Sequence, residues 1–159
     1  MSTSVTIEVA QSMDESALRS IQRLVPMLSP TAKVPSAEEM QRIIQQNCAR
    51  VLLARRGDGE IVGALTLVVF RIPTGMRAWI EDVVVDEGAR GAGIGEALTR
   101  EALRLAANDG AECVDLTSRP AREAANRLYQ RLGFSARDTN VYRYSVGPAA
   151  AAESSEPSR

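Results

Sequence analysis

The chain has 159 residues, 45% apolar and 25% charged, with a formal net charge of −1. That length suits one domain with a real core, and the balance is that of a soluble globular protein. The near-neutral charge offers no broad basic field for nucleic acid, no apolar run approaches the roughly 20 residues of a membrane span, and the polar start Met1-Ser-Thr-Ser-Val lacks a basic-then-apolar leader pattern. A cytoplasmic protein with no nucleic-acid or membrane partner is expected.

Histidine is absent. Ser-His-Asp and Cys-His chemistry are thereby removed, as are zinc sites that need imidazole, and no metal is expected. Proton transfer must use carboxylates, tyrosine, lysine or water. Cys48 and Cys113 lie far apart in apolar stretches and read as buried, reduced thiols.

Val5 to Ala10 alternates as a strand does. Asp14 to Ser29 reads as a helix, with Ala17, Leu18, Ile21, Leu24, Val25 and Leu28 at helical spacing. Ser29-Pro30-Thr31 ends it, because a residue before proline avoids the α region. After a loop over 30–35, Ser36-x-x-Glu39 is a capping box that opens a second helix to about Asn47. Arg50 to Arg56 is a strand, Gly57-Asp58-Gly59 a hairpin turn, and Glu60 to Arg71 the returning strand. The run Leu65 to Phe70 is nearly all apolar, which predicts cover on both faces.

Pro73-Thr74-Gly75 turns the chain into a further strand, Met76 to Asp86. A glycine-rich loop follows, then a helix to about Asn108 with Ile94, Ala97, Leu98, Ala102, Leu105 and Ala106 on one face. Asp109-Gly110 ends it. Glu112 to Ser118 reads as a strand. Pro120 opens a helix that carries Ala125, Leu128 and Leu132 and ends at Gly133. From Phe134 two short closing strands are expected, the last being Val141 to Val146. The order is β-α-α-β-β-β-α-β-α-β-β, an α/β (α+β) arrangement with a mixed, mostly antiparallel sheet flanked by helices. The strand–helix–strand unit 77–118 requires a parallel crossover. Residues 1–146 form the expected domain. Residues 147–159, rich in Ala, Ser, Glu and Pro, read as a disordered tail.

The loop after Asp86 is an anion-holding device. Glycines at 91, 93 and 95 let a ligand approach the backbone. The next helix begins with amides that have no intrahelical partner and with the positive end of its dipole. Arg90 adds a full charge, so a phosphate or pyrophosphate is the expected guest. Glu96-Ala97 stands where a Walker A loop requires Lys-Ser/Thr. Neither Gly91 nor Gly93 opens a G-x-G-x-x-G/A run, although Asp115 lies about 20 residues on, where a ribose-binding acid would stand. The plain alternative is a glycine-rich turn before an ordinary helix.

Arg90-x-x-Gly93-x-Gly95, directly after an apolar strand, resembles the acetyl-CoA pyrophosphate loop of the GNAT superfamily of N-acetyltransferases. Ala125-Asn126-Arg127-Leu128-Tyr129-Gln130-Arg131-Leu132-Gly133-Phe134 is similar to the second signature of that family, A-x-x-L-Y-x-x-x-G-F. The element order is also that of the GNAT fold. The resemblance implies acetyl-CoA as co-substrate. Arg90, Gly91, Ala92, Gly93, Ile94, Gly95 and Glu96 would hold the pyrophosphate. The backbone of Val83, Val84 and Val85 would pair with the pantetheine arm, with the Val85 amide facing the oxyanion. One departure is Arg122, where many members carry asparagine; Asn126 stands as a substitute contact.

Amine acetylation needs an acceptor for the amine proton, a backbone donor for the oxyanion and an acid near the departing sulfur. The resemblance implies that Tyr129 is that acid. The pair Glu81-Asp82 resembles the spermidine/spermine acetyltransferases, where the glutamate acts as base through water, which makes Glu81 the candidate base. By alternation Glu81 shares a face with Val83 and Val85, and Asp82 with Ile80 and Val84. An arginine-bound structural carboxylate is the alternative for either.

The expected acceptor is a primary amine of a small molecule or peptide. Its pocket is expected between the first two helices and the strand ends near 71–80. Glu38, Glu39, Glu81 and Asp82 would favour a cationic amine, whereas Trp79 and Phe70 read as core. A CoA-binding sensor without turnover, or transfer of another acyl group, is the competing reading. A homodimer is possible, since the closing strands offer an edge.

Overall fold

A five-stranded sheet carries residues 4–147, the part of the chain that the computed structural model describes. Its spatial order is β1-β2-β3-β4-β5. β1 (Val5–Val9), β2 (Ala49–Arg56), β3 (Ile61–Ile72) and β4 (Gly75–Val85) are antiparallel neighbours. β5 (Cys113–Asp115) joins β4 in parallel, as the crossover requires. The sheet is thus mixed and mostly antiparallel. The expected tail lies, from residue 148 onward, outside the described residues. No helix among the described residues is long and apolar enough to cross a membrane.

Helices cover both faces. α1 (Glu15–Leu24) starts where the Asp14 carboxylate accepts the Ala17 amide at 2.7 Å. It stops five residues short of the expected end because Pro26 brings no N–H, and the chain continues as a 3₁₀ turn, Val25–Met27. α2 (Ala37–Ile44) opens on the capping box: Ser36 Oγ accepts the Glu39 amide at 3.2 Å, and Glu39 accepts the Ser36 amide at 2.8 Å. Ala17, Ile21, Leu24 and Met40 pack on Val51, Leu53, Ile61, Ala64 and Val84.

α3 (Ile94–Asn108) lies on the opposite face. Its Ile94, Leu98, Ala102 and Ala106 bury against Leu52, Ala54, Val62, Leu65, Leu67, Ala78 and Ile80. The apolar run of β3 is therefore covered on both sides. Gly63 permits the close fit, since a Cβ there would stand 3.1 Å from Ile94 Cγ2 and 3.2 Å from both Leu98 Cδ1 and the Val84 carbonyl. α4 (Glu123–Arg131) begins three residues after Pro120, with Arg122 at its N-cap.

Further expectations are corrected. β4 does not alternate throughout. Thr66 pairs with Glu81 and Ala64 with Val84, so Asp82 and Val83 together face Leu65. This is a β-bulge. Asp82 takes φ +51°, the one positive φ of a non-glycine among the described residues. Before the bulge Ala78 and Ile80 face α3; after it Val83 and Val85 do, while Val84 faces α1 and α2. Glu81 therefore does not share a face with Val83 and Val85, nor Val84 with Ile80.

The two closing strands do not pair. The chain is held at Phe134, whose amide donates to the Tyr129 carbonyl at 3.0 Å, and then leaves the sheet. Residues 135–147 contain no helix or strand. Both cysteines are free, as expected, but Cys48 is exposed and Cys113 half-buried. Cys48 is not core because it lies in the turn ahead of β2 rather than on the strand.

Candidate active site

β4 has eleven residues, and β5 pairs with only Arg77, Ala78 and Trp79. Beyond Trp79 the two strands separate. The β4 edge from Ile80 to Val85 has no strand beside it on that side. A cleft of about 1800 Å³ opens there. Trp79, Glu81, Asp82, Val83 and Val84 line one wall, and Ser118, Arg122, Asn126 and Tyr129 another. Ile21, Leu24, Met40 and Ile43 of α1 and α2 border it as well.

Glu81 is exposed on that wall, and its carboxylate accepts the Trp79 indole N–H at 2.7 Å. Sequence reading placed Trp79 in the core. It is half-buried and lines the cleft, because residues 79 and 81 lie on one face of β4 ahead of the bulge. Phe70 is not core either: it is 38% exposed near the far end of β3. Asp82 also lines the cleft, its direction set by the bulge rather than by alternation.

Tyr129 is carried into the cleft by α4 and is 9% exposed. Its ring meets Phe134 edge-to-face, with centroids 5.7 Å apart. Burial raises the phenol pKa, and the nearby Arg122 charge partly offsets the rise. The hydroxyl makes no hydrogen bond among the described residues. It is an unengaged donor at the cleft wall. Asn126 faces the cleft too, but its amide donates to the carbonyls of Arg119 at 3.0 Å and Pro120 at 3.4 Å, which pins the loop between β5 and α4.

Ser118 was not a sequence candidate. Its Oγ is fully covered, has no partner and lines the cleft. Nothing in the sequence marks it, since its only distinction is where β5 delivers it.

The glycine loop lies past the Val85 end of β4. A 3₁₀ turn, Glu87–Ala89, is closed by the Asp86 carboxylate, which accepts the Gly88 amide at 2.9 Å and also pairs with Arg23 of α1. Gly91 and Gly93 take φ of +80° and +76°, and a Cβ on either would meet nothing within 4 Å. They are needed for conformation and not for space. Gly95 is different: a Cβ there would stand 3.4 Å from Leu128 Cδ2.

The first bond of α3 runs from the Ala97 amide to the Gly93 carbonyl at 2.9 Å. The amides of Ile94, Gly95 and Glu96 therefore lack an intrahelical acceptor, and no side chain caps them. Arg90, exposed beside them, reaches the Val85 carbonyl at 3.4 Å and Glu87 at 3.8 Å. Ala92 is exposed, whereas the Ile94 side chain is buried in the core. Glu96 pairs with Arg100 at 2.8 Å and Arg131 at 3.3 Å, which lowers its pKa and ties α3 to α4. Of the candidates, the structure gathers Glu81, Val83, Val84, Asn126 and Tyr129 around the cleft. Arg90 through Glu96 form a separate cradle past Val85.

Glu38 and Glu39 do not join the acidic wall. Glu38 pairs with Arg42 at 2.5 Å. Glu39 serves the α2 cap and Lys33, whose hydrogen bond, with the Ser36 amide, lowers its pKa to about 2.

Residues 21–134 match the model of the Acetyltransferase (GNAT) family. A glucosamine 6-phosphate N-acetyltransferase from Trypanosoma brucei brucei is 37% identical over 86 residues, 52% of this chain and 56% of that protein. The chain thus matches little more than half the length of that relative. Among solved structures, an acetyltransferase from Trypanosoma brucei superposes with a TM-score of 0.74 at 28% identity, over 90% of this chain and 100% of that one. A transcriptional regulator from Bacillus halodurans C-125 superposes at 0.76 with 26% identity, over 89% of this chain and 100% of that one. The family match covers well over half of the chain and includes the glycine loop, the split strands and the Tyr129 helix, so the chain belongs to the Acetyltransferase (GNAT) family.

Proposed function

We propose that the protein is an N-acetyltransferase that moves an acetyl group from acetyl-CoA to a primary amine of a small molecule or peptide. The observation that carries this is the cleft between β4 and β5. It brings an exposed carboxylate and a buried, unengaged phenol together beside an unpaired strand edge. Three open amides, two positive-φ glycines and Arg90 fit a pyrophosphate, and the free edge of β4 fits an extended amide-bearing arm.

Arg90, Gly91, Ala92, Gly93, Ile94, Gly95 and Glu96 hold the pyrophosphate, chiefly through backbone amides. Val83, Val84 and Val85 pair with the pantetheine. Asn126 steadies the adjoining loop, and its carbonyl oxygen remains available. Bound acetyl-CoA supplies the activated acetyl group.

The acceptor amine arrives protonated, since a free alkylamine titrates near 10. Glu81 removes that proton through a water, held in place by the Trp79 indole. The Val85 amide faces the developing oxyanion. Tyr129 donates its phenolic proton to the sulfur, and burial keeps that proton available at neutral pH. Asp82 and Glu81 together make the wall that attracts a cationic amine.

A CoA-binding regulator without turnover is the rival, given that one similar structure is of a transcriptional regulator. A regulator needs neither an unengaged phenol nor a held carboxylate. The test is a thiol-release assay across amines with acetyl-CoA. Turnover that falls in both Glu81→Gln and Tyr129→Phe supports the mechanism. Binding of acetyl-CoA without turnover on any amine would favour the regulator.

A further inference from the structure

Among the described residues, the fully covered side-chain polar atom that lacks a hydrogen-bond partner is Ser118 Oγ. The hydroxyls of the two buried polar residues are engaged: Thr99 donates to the Gly95 carbonyl at 2.8 Å, and Ser20 to the Ser16 carbonyl at 3.0 Å. A covered hydroxyl left unpaired is destabilising, and native folds keep few of them.

The place of Ser118 in the fold suits it to a ligand. It lies three residues past β5, on the cleft wall that carries Arg122, Asn126 and Tyr129. Its backbone is held from both sides. β5 pairs with β4 over residues 113–115, and the Asn126 amide donates to the carbonyls of Arg119 and Pro120. The side chain is freer. Ser118 as a whole is half-buried, and χ1 has three staggered wells, so Oγ can leave its cover with no change in the backbone.

An extended arm on the free edge of β4 pairs with that strand on one side only. Its amide groups that turn away from β4 face the wall of Ser118, where no strand ladder meets them. A serine hydroxyl both donates and accepts, so it suits either the N–H or the C=O of an amide. The Asn126 NH2 is already spent on the loop.

We propose that Ser118 binds the pantetheine arm of acetyl-CoA, its hydroxyl hydrogen-bonding an amide of the arm that points away from β4. The inference rests on the acetyl-CoA reading and adds a binding residue that neither motif marks. The hydroxyl is unfavourable in the free chain and favourable in the complex, so its removal acts with opposite signs on the two.

Ser118→Ala, compared with the wild type by calorimetric titration and by thermal melting of the free chain, tests this. The variant is expected to bind acetyl-CoA and CoA alike about fivefold to tenfold more weakly, since both carry the arm. Without ligand it is expected to melt at or above the wild-type temperature. Equal acetyl-CoA affinity in the two proteins would overturn the inference and leave the acetyl-CoA reading standing. Weaker binding of acetyl-CoA with unchanged binding of CoA would also overturn it, because the hydroxyl would then meet the acetyl group and not the arm. A variant that melts several degrees lower would overturn it as well, because the hydroxyl would then be held within the fold. A wild type that binds no acetyl-CoA would overturn both this inference and the reading beneath it.

Discussion

In the proposed mechanism Tyr129 and Glu81 serve as acid and base from opposite environments, one buried and one exposed. Tyr129 is buried, so its phenol titrates above the ordinary value of 10.0 and stays a donor through neutral and mildly alkaline pH. The donor form is complete below the raised pKa and is lost as pH rises through it. An alkaline fall in kcat is therefore expected above pH 10, and Tyr129→Phe abolishes it. That variant is expected to lower kcat by about 10²-fold or more while leaving acetyl-CoA affinity nearly intact; equal turnover would remove Tyr129 from the mechanism. Glu81→Gln is expected to lower kcat by about 10²-fold or more, and unchanged turnover would remove Glu81 from the mechanism. Trp79→Phe takes away the 2.7 Å donor to Glu81 and is expected to cost about 1 kcal/mol, or roughly fivefold in kcat. The second motif marked the helix that brings Tyr129 to the cleft. Neither motif led to Trp79, because an isolated tryptophan on an apolar strand reads as core until the pairing register is known.

At the scale of elements, the bulge in β4 and the positive-φ glycines of the loop do the positioning. Asp82 at φ +51° places two residues against Leu65 and reverses the phase of the strand beyond it. A β-branched residue tolerates that φ poorly. Asp82→Val is expected to destabilise the fold by about 1–3 kcal/mol, and Asp82→Gly by less than about 1, both read from denaturant melts. Gly93→Ala meets no neighbour and acts through its φ of +76° alone. It is expected to cost about 1–2 kcal/mol and to weaken acetyl-CoA binding, read by melting and titration. The helices and long strands were legible because hydrophobic period, capping boxes and glycine turns are local signals. The bulge was not, since it depends on what β3 places opposite, whereas the early end of α1 has a local cause in Pro26.

For the whole molecule, element order and two short motifs were enough to read the fold class. The sheet, its parallel crossover and the helices on both faces agree with that reading. The sequence pattern also marked 141–146 as strand, but where a strand finds its partner is not a local property, and among the described residues this stretch joins no sheet. The identity of the acceptor was illegible for the same reason: the cleft walls are assembled from α1, α2, β4, the loop after β5 and α4, far apart in sequence. The central claim is that the split between β4 and β5, with the glycine loop at its end, receives acetyl-CoA. Calorimetric titration of the purified chain with acetyl-CoA, with NAD and ATP as controls, tests this most directly. The account predicts saturable binding, micromolar or tighter, of acetyl-CoA alone. Absence of acetyl-CoA binding, or equal binding of NAD or ATP, would contradict it.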